Sequence, residues 1–281
     1  MTRQQTQKFA ITSISVLAGL VILPIIFVIV FIFVNGISAI SWTFLTQPPT
    51  NGMTEGGIMP AILGTIILTF GTAIASIPLS IGAAIYLAEY AKDNRLTRTV
   101  RLAIVNLAGI PSIVYGLFGL GAFVLFMDLG TSIIAASLTL GIMTMPVVIS
   151  ASEEAILSVP QEFRLVSFSL GGTKWQTIWH QVLPHATPGI TTGIILGLSR
   201  AAGETAPILF TVAAFYLPEL PRSIFDQTMA LPYHLYVIST QVPGMPLNIQ
   251  YGTALVLLLM VLSLMLVATV FRTSMRRRRE W

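Results

Sequence analysis

The chain has 281 residues, of which 54% are hydrophobic and only 9% charged, with a formal net charge of +4. Soluble domains are roughly a quarter charged, so the composition excludes an ordinary soluble enzyme, a disordered chain and, despite the basic balance, a nucleic-acid binder. It contains no cysteine and three histidines, which excludes disulfides and thiol chemistry and leaves little for a metal site.

Charged residues bound neutral stretches at 9–54, 56–88, 102–127, 129–152, 175–199 and 227–271. A membrane span needs about 20 mostly apolar residues. The stretches therefore predict an all-α integral membrane protein with six transmembrane helices, near 12–34, 58–88, 103–127, 131–151, 186–210 and 249–271.

The first span follows a short N-terminal segment, 1–11. Its apolar run, residues 9–34, is longer than the roughly 7–15 residues of a cleavable signal core. Ser38-Ala39 offers only a weak cleavage site. Residues 35–57 then form an outward loop. The second span is long enough to tilt or to project beyond the bilayer. Glu89 at its end, with Lys92 nearby, reads as an ordinary surface charge. In the third span Asn106, Gly109, Pro111 and Ser112 mark a break or kink. Packing is the simpler reason for it. A pathway lined by freed backbone groups is the other.

Thirteen of the fifteen Lys and Arg fall on one side of a six-span arrangement: before span one, between two and three, between four and five, and after six. By the positive-inside rule both termini are cytoplasmic. The basic run at 276–279, in the tail 273–281, serves as a stop-transfer anchor that can touch anionic lipid.

The segment between spans four and five, 158–184, holds two short helices. Ser158, Pro160 and Gln161 read as the start of the first. Phe163, Val166 and Leu170 line one of its faces, and Gly171-Gly172 stops it. Thr173 and Gln176 form a second capping box. The helix it opens puts Trp175, Ile178, Trp179 and Val182 on one face, is expected to lie along the membrane surface, and ends at Pro184. The apolar face of the first helix needs a cover. A soluble partner or the chain's own bundle would supply it.

Span five carries Arg200 and Glu204, four residues apart and so on one helix face. An ionisable group inside a span costs at least about 2.5 kcal/mol and marks a functional candidate. Gly189, Gly193, Gly197 and Ala201 form a second stripe, suited to close helix packing. Residues 211–248 form a second outward loop, with five prolines between Pro218 and Pro246, and could gate or meet a partner. No phosphate-binding Gly-x-x-x-x-Gly-Lys-Ser/Thr segment is present, so energy must come from another subunit or an ion gradient.

The cytoplasmic segment resembles the EAA loop of ABC importer permeases. Gly171 stands at the loop glycine and Leu183-Pro184 at its end, whereas Leu165-Val166-Ser167 replace the Glu-Ala-Ala and Gln181 the aliphatic residue. Glu162 could stand in for the glutamate one turn earlier. Residues 199–211 (Ser-Arg-Ala-Ala-Gly-Glu-Thr-Ala-Pro-Ile-Leu-Phe-Thr) are similar to the signature of phosphate permeases. Residues 86–91 and 109–119 look like the same family's PstA-type subunits.

The resemblance implies a type I ABC importer permease core over 56–272, in a bacterial inner membrane, importing phosphate. It implies a PstC-type permease, two copies of a cytoplasmic ATP-binding subunit and an extracytoplasmic phosphate-binding protein as partners. It implies no cofactor and no catalysis in this chain, since ATP and Mg would act in the partner. Glu162, Phe163, Arg164, Val166, Ser167, Leu170 and Gly171 become the candidate ATPase-coupling residues, and Arg200, Glu204 and Thr205 the substrate-pathway candidates. Arg200 could meet the phosphate oxyanion, with Glu204 holding it or accepting the proton that phosphate keeps near neutral pH. A salt bridge that only stabilises the bundle is the alternative. For the whole chain, an ABC permease for another oxyanion and an ion-coupled secondary transporter stand as alternatives.

Overall fold

The computed structural model describes residues 3–277. Residues 1–2 of the N-terminal segment and residues 278–281 of the basic tail lie outside them. The described residues are mostly helical. Helix α1 (Arg3–Gly36) leads to a short α2 (Trp42–Thr46), capped by Ser41, and to a small antiparallel hairpin of β1 (Pro49–Thr50) and β2 (Glu55–Gly56). Next come α3 (Met59–Ile85), α4 (Arg95–Ala108), α5 (Ser112–Gly119) and α6 (Ile133–Leu157). The cytoplasmic segment supplies α7 (Gln161–Ser169) and α8 (Lys174–Thr177). The rest is α9 (Leu183–Gly203), α10 (Ala206–Thr211), α11 (Leu231–Thr240) and α12 (Leu247–Arg277).

Among the described residues four helices are long and apolar enough to cross a membrane: Ile11–Ala39, Met59–Tyr90, Ile133–Leu157 and Leu247–Ser274. The pair α4 and α5, bent by 101°, would make a fifth. Helix α9 has 21 residues, but its glycines, threonines and histidine keep it out of that group, so six spans are not reached by this measure. In α1 none of the most apolar stretch is buried, and Leu17, Ile25 and Phe27 are exposed. Such an all-round apolar surface is solvated by lipid, not by water.

The interior is built by α3, α6 and α9. The glycine stripe of α9 lies directly against α6: a Cβ at Gly189, Gly193 or Gly197 would stand 2.5, 2.6 and 3.0 Å from Ala155 Cβ, Ala151 Cβ and Val148 Cγ2. The stripe is therefore a packing seam of the kind small residues make in membranes. One apolar core gathers Leu140, Met143, Ile208, Met229, Leu231 and Ile238 at one end of the bundle. A second joins Ala84, Ile156, Val159, Val182 and Ala186 at the other.

Several expectations are corrected. Residues 103–127 are not one straight helix, and the break expected at Gly109 and Pro111 is present. Pro111 starts a new helix after the break at Gly109-Ile110, and α4 before it is an amphipathic helix with exposed Leu96, Val100 and Val105. Ser158 does not cap α7. It ends α6, its Oγ donating to Ala155 O at 2.8 Å, and Pro160 precedes the first turn of α7. Pro184 does not end a surface helix either. A π-helical turn, Ile178–Val182, widens the backbone just ahead of it, and the helix runs on from α8 into α9. The expected single face is split as well: Ile178 and Val182 are buried, whereas Trp175 and Trp179 stack on one another outside with ring centres 5.7 Å apart. The Thr173–Gln176 capping box is present as expected.

The segment 211–248 is not an open loop. It carries α11, whose Leu231, His234, Val237 and Ile238 sit in the core. Thr65 Oγ1 of α3 accepts the Leu231 amide at 2.8 Å, which ties this cap to the bundle.

Candidate functional site

Two sets of residues carry the candidate chemistry, at opposite ends of α9. At its far end the helix stops at Gly203. Pro207 accounts for this: in a continued helix it would leave the Gly203 carbonyl without a donor and crowd it. Glu204 therefore leaves the helix with an extended backbone (ψ 135°), and Thr205 precedes α10. The single helix face expected for Arg200 and Glu204 is replaced by a turn, yet the two side chains still meet, with Arg200 Nε 3.2 Å from Glu204 Oε1. Arg200 lies in the last turn of α9, where the helix dipole favours a cation. Its side chain is 42% exposed, against 16% for Glu204.

Glu204 borders a slit between α3, α6, α9, α10 and α11, together with Thr65, Thr69, Ala201, Ile208 and Pro232. The slit holds about 10 Å³, the space of roughly one water. Thr205 is half-buried, and its carbonyl accepts the Leu209 amide at 3.1 Å. So one member of the ion pair looks out of this chain and the other into its interior. The arrangement offers a fixed cation, whose Nε is held by Glu204 while its two Nη groups remain to bond an anion, beside a carboxylate that can accept a proton.

The coupling segment forms the other set. Glu162, Phe163, Val166, Ser167 and Leu170 line an open groove of about 440 Å³, completed by Gly172 and Gln181. Leu170 is 85% exposed at its rim. Gly171 adopts φ +83°, the left-handed conformation that ends α7. Ser167 Oγ lies 2.7 Å from Thr177 Oγ1 and pins α7 to α8. Phe163 stacks on His185 of α9 with centres 4.8 Å apart.

Arg164 turns away from this groove. Its Nη2 donates to Glu89 Oε1 at 2.7 Å and to Ile156 O at 3.0 Å, and its Nη1 to Val159 O at 2.7 Å. The reading of Glu89 as a surface charge is thereby overturned, since its side chain is only 9% exposed. The order of charges along the chain gave no sign of this, because 75 residues separate the partners. Pro207, by contrast, was a local signal for the break after Gly203.

The described residues thus make a helical membrane bundle with a grooved short helix at one end and a broken helix at the other, the architecture of a type I ABC importer permease. Solved structures share it. A chain from inward-facing conformations of the MetNI methionine ABC transporter aligns with a TM-score of 0.63 at 16% identity, over 76% of this chain and 94% of that one. A chain of a bacterial ABC transporter involved in the import of the acidic polysaccharide alginate aligns with a TM-score of 0.62 at 14% identity, over 96% and 99%.

Residues 76–281 match the family described as binding-protein-dependent transport system inner membrane component, and the chain belongs to that family. It is 33% identical to the phosphate transport system permease protein PstA 1 of Mycobacterium tuberculosis, over 92% of this chain and 85% of that one. It is 32% identical to a probable phosphate transport system permease protein PstA of Methanocaldococcus jannaschii, over 93% and 92%. It is also 33% identical to the probable ABC transporter permease protein YqgI of Bacillus subtilis, over 86% of each. The chain is an inner-membrane permease subunit of an ABC importer. It is not itself an enzyme, and it works with a separate ATPase and a substrate-binding protein.

Proposed function

We propose that the chain is one permease subunit of an ATP-driven phosphate importer, paired with a PstC-type permease and two copies of the ATP-binding subunit. A separate extracytoplasmic protein captures phosphate and delivers it. The observation that carries this reading is the Arg200–Glu204 pair at the break after Gly203. Among the described residues the other ion pairs, Arg98–Asp93, Arg101–Glu153 and Arg164–Glu89, gather at the coupling end. The phosphate-permease likeness of residues 199–211 and the relatives named PstA support the same solute.

In this account Arg200 meets the anion as it passes. Guanidinium bonds two oxygens at once and stays charged at any physiological pH. Glu204 orients Arg200 and accepts the proton that phosphate retains near neutrality, which sulfate lacks. One arginine gives a weak enough site to release its cargo. ATP with Mg acts in the partner: closure of the two ATPases moves the grooved α7 surface, and the helices alternate their opening.

The test is uptake of labelled phosphate into liposomes holding the full complex and its binding protein. Excess sulfate should leave uptake unchanged, whereas unlabelled phosphate should abolish it. Uptake that sulfate suppresses equally would reject the phosphate assignment and favour a broader oxyanion carrier.

A further inference from the structure

The last turn of α3 is gripped from three sides. Beyond Ile85 the helix widens into a π-helical turn, Tyr86–Tyr90, and the chain leaves it at Ala91. Terminal carbonyls there need donors from elsewhere. Leu87 O receives Arg101 Nη2 from α4 at 2.9 Å, and Glu89 O receives the Lys174 ammonium from α8. That ammonium also lies 4.7 Å from the centre of the Tyr90 ring. The Glu89 carboxylate takes both Nε and Nη2 of Arg164 from α7, at 3.1 and 2.7 Å. Cations at a helix C-terminus are favoured by its dipole.

Arg164 also holds Ile156 O and Val159 O at the end of α6. The coupling helix is therefore fastened to α6 by backbone contacts that do not involve Glu89. The Glu89 carboxylate is the ion-pair link between α3 and α7, alongside the Lys174 bond to Glu89 O and the apolar packing of Ala84 and Phe163 in one cluster. A buried ion pair is costly to break from one side, so the intact pair opposes sliding of α3 past α7.

We propose that Glu89 is a positioning residue that carries movement of the coupling helix into the second span. The proposal rests on the ABC-permease family and not on phosphate being the solute. It requires α7 and α3 to move as one rigid body during the transport cycle.

The chain has no cysteine, so cysteine pairs for spin labels can be introduced without background from this subunit. Labels would go on exposed Leu79 of α3 and exposed Leu165 of α7, in the complete complex with its ATPase. In the parent chain the distance between them should stay constant within about 2 Å when ATP binds. Glu89→Gln should let that distance shift or broaden. It should leave the ATPase bound and lower solute transported per ATP hydrolysed by about tenfold. A change of more than about 5 Å in the parent chain, one helical turn, would overturn the proposal whether or not the variant folds. So would normal transport per ATP in Glu89→Gln. Failure of the phosphate assignment alone would leave the distance result intact.

Discussion

Arg200 and Glu204 join the last turn of α9 to the connection before α10, with Nε and Oε1 3.2 Å apart. The pair bridges a place where the backbone changes direction, so a movement of α10 relative to α9 would alter it. Arg200 is the more exposed partner and Glu204 borders the interior slit. An anion arriving from outside this chain would reach the guanidinium first.

Replacing Arg200 with Lys keeps the charge and loses the two-pronged geometry. A charge-assisted hydrogen bond contributes about 1.5–3 kcal/mol, so phosphate transport should fall by roughly 10- to 100-fold. Complex assembly, read by size-exclusion chromatography, should be unchanged. Normal transport by Arg200→Lys would reduce the arginine to a structural role.

The sequence alone disclosed the helical membrane class, the short helices of the coupling segment and the candidate pair, because each depends on local pattern. Apolar stretches announce helices, Gly171 announces a stop, and an isolated Arg in a neutral run announces itself. What stayed hidden depends on distance through space. The Arg164–Glu89 junction joins residues 75 apart in sequence. The 101° bend between α4 and α5 was marked by Pro111, but its size was not. The continuation through Pro184 needed the π-helical turn before it, a feature with no simple composition signal.

Glu204→Gln keeps the shape of the side chain and removes its ability to take a proton. Phosphate uptake should fall, and discrimination against sulfate should narrow, by about tenfold if one hydrogen bond's difference is lost. The measurement is competition uptake at fixed pH. Unchanged uptake and unchanged sulfate exclusion together would remove the proton-acceptor role.

At the coupling groove, Leu170 is the exposed apolar rim residue. Leu170→Asp should weaken ATPase binding by about tenfold or more, as loss of an interface anchor does. The fold should be unaffected because Leu170 packs little within this chain. Affinity of the detergent-solubilised permease pair for the ATPase reads this directly.

His234 sits in α11, outside the long apolar spans, and burial pushes its pKa down from 6.5 to about 4. The folded chain holds it neutral, whereas the unfolded chain protonates it below pH 6.5. Protonation thus favours unfolding: stability is complete above that pH and declines as pH falls toward 4. The slope approaches at most about 1.4 kcal/mol per pH unit. Thermal unfolding in detergent at pH 7, 5.5 and 4.5 should show the decline, and His234→Gln should flatten it.

The most direct measurement is ATP hydrolysis by the reconstituted complex, with its binding protein loaded with phosphate, with sulfate or empty. Phosphate-loaded protein should stimulate hydrolysis several-fold in the parent chain and little in Arg200→Lys, with sulfate-loaded and empty protein near the basal rate. Equal stimulation by phosphate and sulfate, or none by phosphate, would contradict the phosphate assignment.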